Sequence, residues 1–541
     1  MRPGKITAGF VVLVAWVAVP SAPGAPDLAK GEIDALVSAG LKAHGFPPSP
    51  LCSDDVFVRR VFLDTIGTLP QPAEVRAFLA DTRPDKRARL IDALLARDEF
   101  ADYWGLKWGD LLRIKSEFPC NLWPNAVQAY DRWVRDSIRD NKPYDQFVRE
   151  LLTASGSNFR VPPVNFYRAF QERSPRQIAD NVALIFMGLR LGESGFTTNQ
   201  MLGFSAFFAK VGYKTTDEWK EEIVYFNPDG RLPDPAHTNQ SIRPAHLDGK
   251  PVALASEQDP RVAFADWLTA PGNPWFARSI VNRIWFWLTG HGIVHEPDDM
   301  KGFNPPWSPE LLAYLERELA GNGYDLKCIY RLILNSDAYQ RSSVPVRRNA
   351  KDDTGFSHYR LRRLDAEPLL DAINQIVGGT EKYVSPIPEP FTFLPADQRA
   401  ITLADGSMES AFLELFGRPP RNTSFESERV STPSVFQAQH LLNSSHLEDK
   451  IERSRVLQQL VNGPSKSGSN GKRQQSPAPV AKFDGPKCVE ELYIRILSRF
   501  PTDEERRTAA AYMDSPKHKP ADAVCDLAWA LINSREFVLK H

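Results

Sequence analysis

The densest ligand-like run in the sequence is His291-Gly-Ile-Val-His295-Glu-Pro-Asp298-Asp299. Two imidazoles four residues apart with carboxylates close behind could hold a divalent metal. Gly290, Gly292 and Pro297 place the run in a loop after a helix, so the spacing does not stack both histidines on one helical face. In that setting Asp298 and Asp299 are expected to accept hydrogen bonds from Asn282 or Arg283 and so fix the loop. A second polar cluster, Arg418, Glu426, Glu428 and Arg429, surrounds Phe416-Gly-Arg-Pro419. Buried charges need partners, so it reads as an ion-pair network. The alternative is a groove for an anionic or sugar ligand. A third group, Lys214, Glu218, Lys220, Glu221 and Glu222, surrounds Trp219. It is either a carboxylate-rich sugar site with an indole platform or a solvated face of salt bridges. Ser155 sits in Thr153-Ala-Ser-Gly-Ser157, which lacks the G-x-S-x-G pattern of a nucleophile elbow. No Gly-rich phosphate loop of the usual forms is present.

The elements that must position these residues are mostly helical. An apolar face recurs through Phe57, Val61, Phe62 and Ile66 before Gly67. It recurs through Val127 to Leu152 with a break at Pro143, and again through Ile178–Leu191, Met201–Val211 and Phe276–Leu288. Residues 220–255 change character: Ile223 to Phe226 lead into Asn227-Pro-Asp-Gly, then several prolines, which predicts a small hairpin or extended crossover. Residues 380–405 are rich in proline and read as loop, and 463–479 are rich in Ser, Gly, Lys and Gln and read as flexible linker. One helical hairpin recurs three times, at Leu69–Phe100, Pro306–Tyr339 and Pro501–Phe537. Each copy opens on Pro with an acidic residue in or near the first turn and closes on polar residues and an aromatic. The copies are too far apart for a tandem solenoid.

A chain of 541 residues needs more than one ordinary core. With 66 Lys plus Arg against 67 Asp plus Glu, it lacks the basic footprint of a nucleic-acid binder. Arg2 and Lys5, the apolar stretch Ile6–Val19 and the small residues Pro20 to Ala25 read as a secretory leader, too short for a membrane span of about 20 residues. No later stretch is apolar enough to span. The five cysteines, Cys52, Cys120, Cys328, Cys488 and Cys525, form no C-x-x-C pair. In an exported protein one bridge, such as Cys52–Cys120, could form, while Cys328 and Cys525 read as core residues.

Three runs in the first half resemble the DUF1549 (cytochrome-associated, PSCyt2-like) domain: Phe57-Val-Arg-Arg-Val-Phe-Leu-Asp-Thr-Ile-Gly67, Tyr103-Trp-Gly-Leu-Lys-Trp-Gly-Asp-Leu-Leu-Arg113 and Asn141-Lys-Pro-Tyr-Asp-Gln-Phe-Val-Arg-Glu150. In the second half Asn273-Pro-Trp-Phe-Ala-Arg-Ser-Ile-Val-Asn-Arg-Ile-Trp285, Asp298-Asp299, Gly323-Tyr-Asp-Leu-Lys327 and Phe416-Gly-Arg-Pro419 resemble DUF1553 (PSD1-like). The resemblance is to a planctomycete-type family. Many of its members carry a C-x-x-C-H haem motif, but here Gly188 to Gln200 holds neither Cys nor His, so no c-type haem is expected. A Cys-x-Cys pair of the family is likewise replaced by Phe425 and Ser427.

The expected fold is mainly α: two helical domains joined by a short β-containing crossover, with repeated helical hairpins. The expected division is a leader at 1–25, a DUF1549-like domain at 26–220, a crossover at 221–258, a DUF1553-like domain at 259–462, a linker at 463–480 and a C-terminal helical unit at 481–541. The functional expectation is an exported protein of the periplasm or cell envelope that binds a protein or surface polysaccharide without catalysis and without a cofactor. The resemblance implies an exported DUF1501-type partner. Two alternatives stand beside it. One is a glycan-directed hydrolase or metal enzyme using Asp298, Asp299 and the Arg418–Arg429 cluster. The other is a haem-less redox accessory docking on a cytochrome-bearing paralogue.

Overall fold

The computed structural model describes residues 31–237, 239–462 and 483–541, so the predicted leader and linker lie outside the described residues. The fold is mainly α, as the apolar periodicity predicts. Pro143 separates helix Pro124–Arg139 from helix Tyr144–Thr153. No described helix is long and apolar enough to cross a membrane.

The recurring hairpin is real and larger than the sequence pattern indicates. Each copy is a three-helix unit whose first helix packs on the two that follow. The first copy joins Asp54–Thr65 to Pro72–Ala80 and Lys86–Leu95. The second joins Phe276–Thr289 to Pro309–Gly321 and Leu326–Asn335. The third joins Gly485–Leu497 to Asp503–Met513 and Pro520–Ile532. Ser308 and Thr502 cap their helices with side-chain oxygens, and Gln71 and Thr502 form capping boxes with Glu74 and Glu505. The aromatic that closes each copy, Phe100, Tyr339 or Phe537, is buried.

The crossover differs in detail from expectation. Helix Thr198–Ser205 stops earlier than Val211, which instead opens strand β2 (Val211–Thr215). Its hairpin partner is β3 (Glu222–Phe226), and the first strand of the sheet, β1 (Gly156–Ser157), comes from the first half of the chain. So the predicted strand at 223–226 pairs backwards, and the following 233–251 segment makes only isolated bridges. The hydrophobic cores also ignore the predicted crossover. One core collects residues from Ile33 to Ala404 on both sides of it, and the other joins Leu63 and Leu69 to residues 364–537. Helix Asp54–Thr65 lies between the two and is buried from Phe57 to Thr65, charged residues included. The chain ends on β5 (Leu539–Lys540), which pairs antiparallel with β4 (Arg362–Arg363).

Candidate functional site

A helix buried on every side cannot leave Arg59, Arg60 and Asp64 unpaired, because an isolated buried charge costs several kcal/mol. Arg59 donates to the carbonyls of Ile496 and Phe537, both at 2.8 Å. Arg60 donates to the carbonyls of Tyr339, Arg341 and His541. Asp64 receives Lys540 Nζ at 2.8 Å, Arg362 at 3.3 Å, and the hydroxyls of Tyr359 at 2.8 Å and Tyr339 at 3.1 Å. Burial alone would push the Asp64 carboxyl up, but Lys540 and Arg362 overcome it and hold it below the usual range. The β4–β5 pairing delivers Lys540 here. Arg362 also donates to the carbonyls of Trp287 and Leu288, satisfying the C-terminal end of helix Phe276–Thr289.

A second set of charges lies alongside. Lys107, on helix Asp98–Leu111, pairs with Asp365 at 2.7 Å. Asp110, one turn on, receives Arg429 at 2.6 Å and Arg421 at 2.9 Å, and Arg429 reaches Glu367 at 2.6 Å. Arg363 is buried and, among the described residues, pairs with no carboxylate; its donors meet the carbonyls of Leu364, Phe416 and Val430. Burial accordingly pushes its guanidinium down. Lys107, Arg362, Arg363, Arg429 and Lys540 together line a cleft of about 80 Å³, with Asp365, Glu426, Tyr103, Phe286, Trp287, Gly290 and Ser431 completing the wall.

The structure brings part of the sequence-derived polar patch to this cleft. Arg283 and Asp298 form a fully buried pair at 2.8 Å. Asp298 also accepts the Glu426 backbone N–H at 2.7 Å, and the Glu426 carboxylate accepts the Trp287 indole N–H at 2.8 Å. Burial pushes both the Asp298 and the Glu426 carboxyls up. Glu426 and Arg429 therefore line the cleft, and Asp298 and Arg283 stand behind it. The others are structural and point elsewhere. Asn282 clamps the backbone of Val294 through both amide atoms. Asp299 pairs with Lys301 rather than with Asn282 or Arg283. Arg418 donates to the Met408 carbonyl, and Glu428 accepts from Thr423 and Asn422.

His291 and His295 do stack, with ring centroids 4.0 Å apart. Burial and then the neighbouring His295 bring His291 down to about 4, and its Nδ1 faces the Gly292 carbonyl. Asp298 and Asp299 are engaged by Arg283 and Lys301, so the four residues do not converge on one metal. Among the described residues no three His, Cys, Asp or Glu side chains form a metal-holding group. The group around Trp219 also rearranges: Glu222 turns in to Arg168 and Arg173, and Glu221 to Ser157 and Thr216. Trp219 itself stays exposed. Ser155 accepts from Arg261. Cys52 and Cys120 remain separate thiols, Cys52 beside Gln340 and Cys120 against the Arg421 carbonyl.

Most of the cleft escapes sequence reasoning: Lys107, Arg362, Arg363, Asp365 and Lys540, and the supporting Asp64, Asp110, Glu367 and Arg421. One signal exists. Asp64 follows Val61-Phe-Leu63 on an apolar helical face, and a carboxylate on the buried face of a helix requires a partner.

Fold and site thus define a helical protein whose halves are tied by a buried network of ion pairs around a small cationic cleft. Residues 32–192 match the family model PSCyt2, a protein of unknown function (DUF1549), and residues 260–513 match PSD1, a protein of unknown function (DUF1553). The chain belongs to this DUF1549/DUF1553 family. Nothing among curated proteins or solved structures matches it. Lys540 lies beyond the matched stretch.

Proposed function

We propose that this chain is an exported, cell-envelope binding protein that holds the acidic head of a ligand in the cleft between Lys107, Arg362, Arg363, Arg429 and Lys540. The observation that carries this reading is the charge balance. Lys107, Arg362, Arg363, Arg421, Arg429 and Lys540 face Asp64, Asp110, Asp365 and Glu367, and among the described residues Arg363 has no carboxylate in contact. An oxyanion supplies the missing negative charge, and guanidinium forks suit carboxylate, sulfate or phosphate. The space of about 80 Å³ takes such a group and leaves the rest of the ligand outside. Its wall includes Ser431, part of an exposed strip running from Val430 to Phe436. Glu426, biased towards its protonated form by burial, would donate to the bound oxygen.

The test is thermal unfolding and calorimetry of the full chain with sulfate, phosphate and galacturonate. A specific ligand raises stability by RT ln(1 + [L]/Kd), about 2.7 kcal/mol at a hundredfold excess over Kd. At least one probe should bind saturably, and Lys107→Gln should weaken it tenfold or more. If all three act no differently from chloride at matched ionic strength, the proposal fails.

A further inference from the structure

Three loops from distant parts of the chain place aromatic rings on one face. The first is 115–123, a narrow turn in which the N–H groups of Leu122 and Trp123 donate to the Lys115 and Ser116 carbonyls. It is strapped to a neighbouring turn, since Ser116 N–H donates to Asp405 and Glu117 N–H to Ser407. The second is the tip of the β2–β3 hairpin, with Trp219. The third is 385–393, where Thr392 and Ile387 turn inward and Phe391 and Phe393 outward. Trp123 is the hinge of the group: its ring meets Trp219 edge-on at 6.4 Å and Phe391 at 5.4 Å. Lys220 sits over both indoles, at 4.9 Å from Trp123 and 5.3 Å from Trp219. Trp219 is 69% exposed, Phe391 46%, Phe393 74% and Phe118, on the first loop, 64%.

This display costs the fold something and gains it no core. Trp123 and Lys220 are held at φ of 71° and 61°, a region that side-chain-bearing residues rarely adopt. Exposed apolar area forgoes about 25 cal/mol per Å² of burial, and contiguous patches of it mark interaction sites. The composition of the patch selects the occupant. Its largest exposed side chains are rings, with exposed Val384, Pro386, Pro388 and Pro390 flanking Phe391, and its polar neighbours include Glu218, Lys220 and Arg160. Flat rings receive the C–H face of a pyranose, and mobile charged side chains at the edge receive its hydroxyls. A line of rings from Phe391 through Trp123 to Trp219 fits a short stretch of linked sugars better than a single one.

We infer that Trp219, Trp123 and Phe391 form a stacking platform for an extended polysaccharide chain, with Phe118 and Phe393 exposed on the same loops. The platform is a site separate from the cationic cleft, so either can fail without the other.

The experiment is native affinity electrophoresis of the full chain through gels containing laminarin, xylan or hydroxyethylcellulose. At least one polymer should retard the protein, and the pair Trp219→Ala and Phe391→Ala should restore free mobility. Both side chains are substantially exposed, so the circular dichroism and unfolding midpoint of the double variant should match the parent. Phe393→Ala alone should give a smaller loss of retardation. Unchanged mobility in all three gels overturns the proposal, as does full retardation of the double variant. A concentration-dependent dimer that the double variant loses, with no retardation by any polymer, would assign the face to a second copy of the chain and equally overturn it.

Discussion

Asp64→Asn is the most informative single perturbation of the junction. The carboxylate is fully buried and neutralises both Lys540 at 2.8 Å and Arg362 at 3.3 Å while accepting two tyrosine hydroxyls. An amide keeps the shape but removes the charge, leaving two interior cations with no other carboxylate in contact among the described residues. Breaking one partner out of a buried pair costs about 3–5 kcal/mol. Domains are stable by only about 5–15 kcal/mol, so this is a large fraction. Lys540→Met should cost less, about 1.5–3 kcal/mol for the lost charged hydrogen bond, because Arg362 and the two tyrosines still hold Asp64. The double variant should then cost clearly less than the two singles added, since each removes what the other strands. Urea unfolding followed by circular dichroism gives the three values, and hydrogen exchange over 485–541 should rise in both singles as the C-terminal tail loosens. If Asp64→Asn shifts stability by under about 1 kcal/mol, or the two changes simply add, the junction is not held by this pair and the reasoning is wrong.

Four further outcomes are expected. Burial raises the Asp371 carboxyl to about 6 against the partly opposing Arg399 and the N–H groups of Ala400 and Ile401. The folded state then holds a proton that the unfolded state has released. Stability should therefore fall as pH rises from about 4 to about 6, by about 3 kcal/mol at most, and Asp371→Asn should flatten that slope in urea titrations. His291 has the opposite dependence: buried and brought down to about 4, it stays neutral while the unfolded chain takes up protons. Its contribution should be lost as pH falls from about 6.5 towards 4, and His291→Gln should remove that loss. Gly290→Ala combines φ of 81° with a new Cβ 2.8 Å from Arg362 Cδ, so it should lower the unfolding midpoint by an amount equivalent to about 1–3 kcal/mol. Oxyanion affinity in the cleft should weaken as pH rises and Glu426 gives up its proton, and Glu426→Gln should leave a flatter calorimetric profile.

The sequence by itself determined the local elements. Apolar periodicity and capping residues decide the helices, and the threefold hairpin shows in its caps and closing aromatics because these interactions lie within a few residues. It also narrowed the partner of Asp298 to Asn282 or Arg283, and the structure selects Arg283, fifteen residues away. What tertiary structure alone decided is where charges separated by hundreds of residues meet. Asp64 and Lys540 lie 476 residues apart, and Asp110 and Arg429 lie 319 apart. No spacing encodes such pairs, because they depend on how helices with similar apolar faces pack and on a two-residue strand, β5, finding β4. In the histidine run Asp298 takes Arg283, one of its two expected partners, while Asp299 takes Lys301 instead. Of the three aromatic loops the sequence singles out only the Trp219 group, and the rings become a surface only when the β2–β3 hairpin folds back beside Trp123 and Phe391.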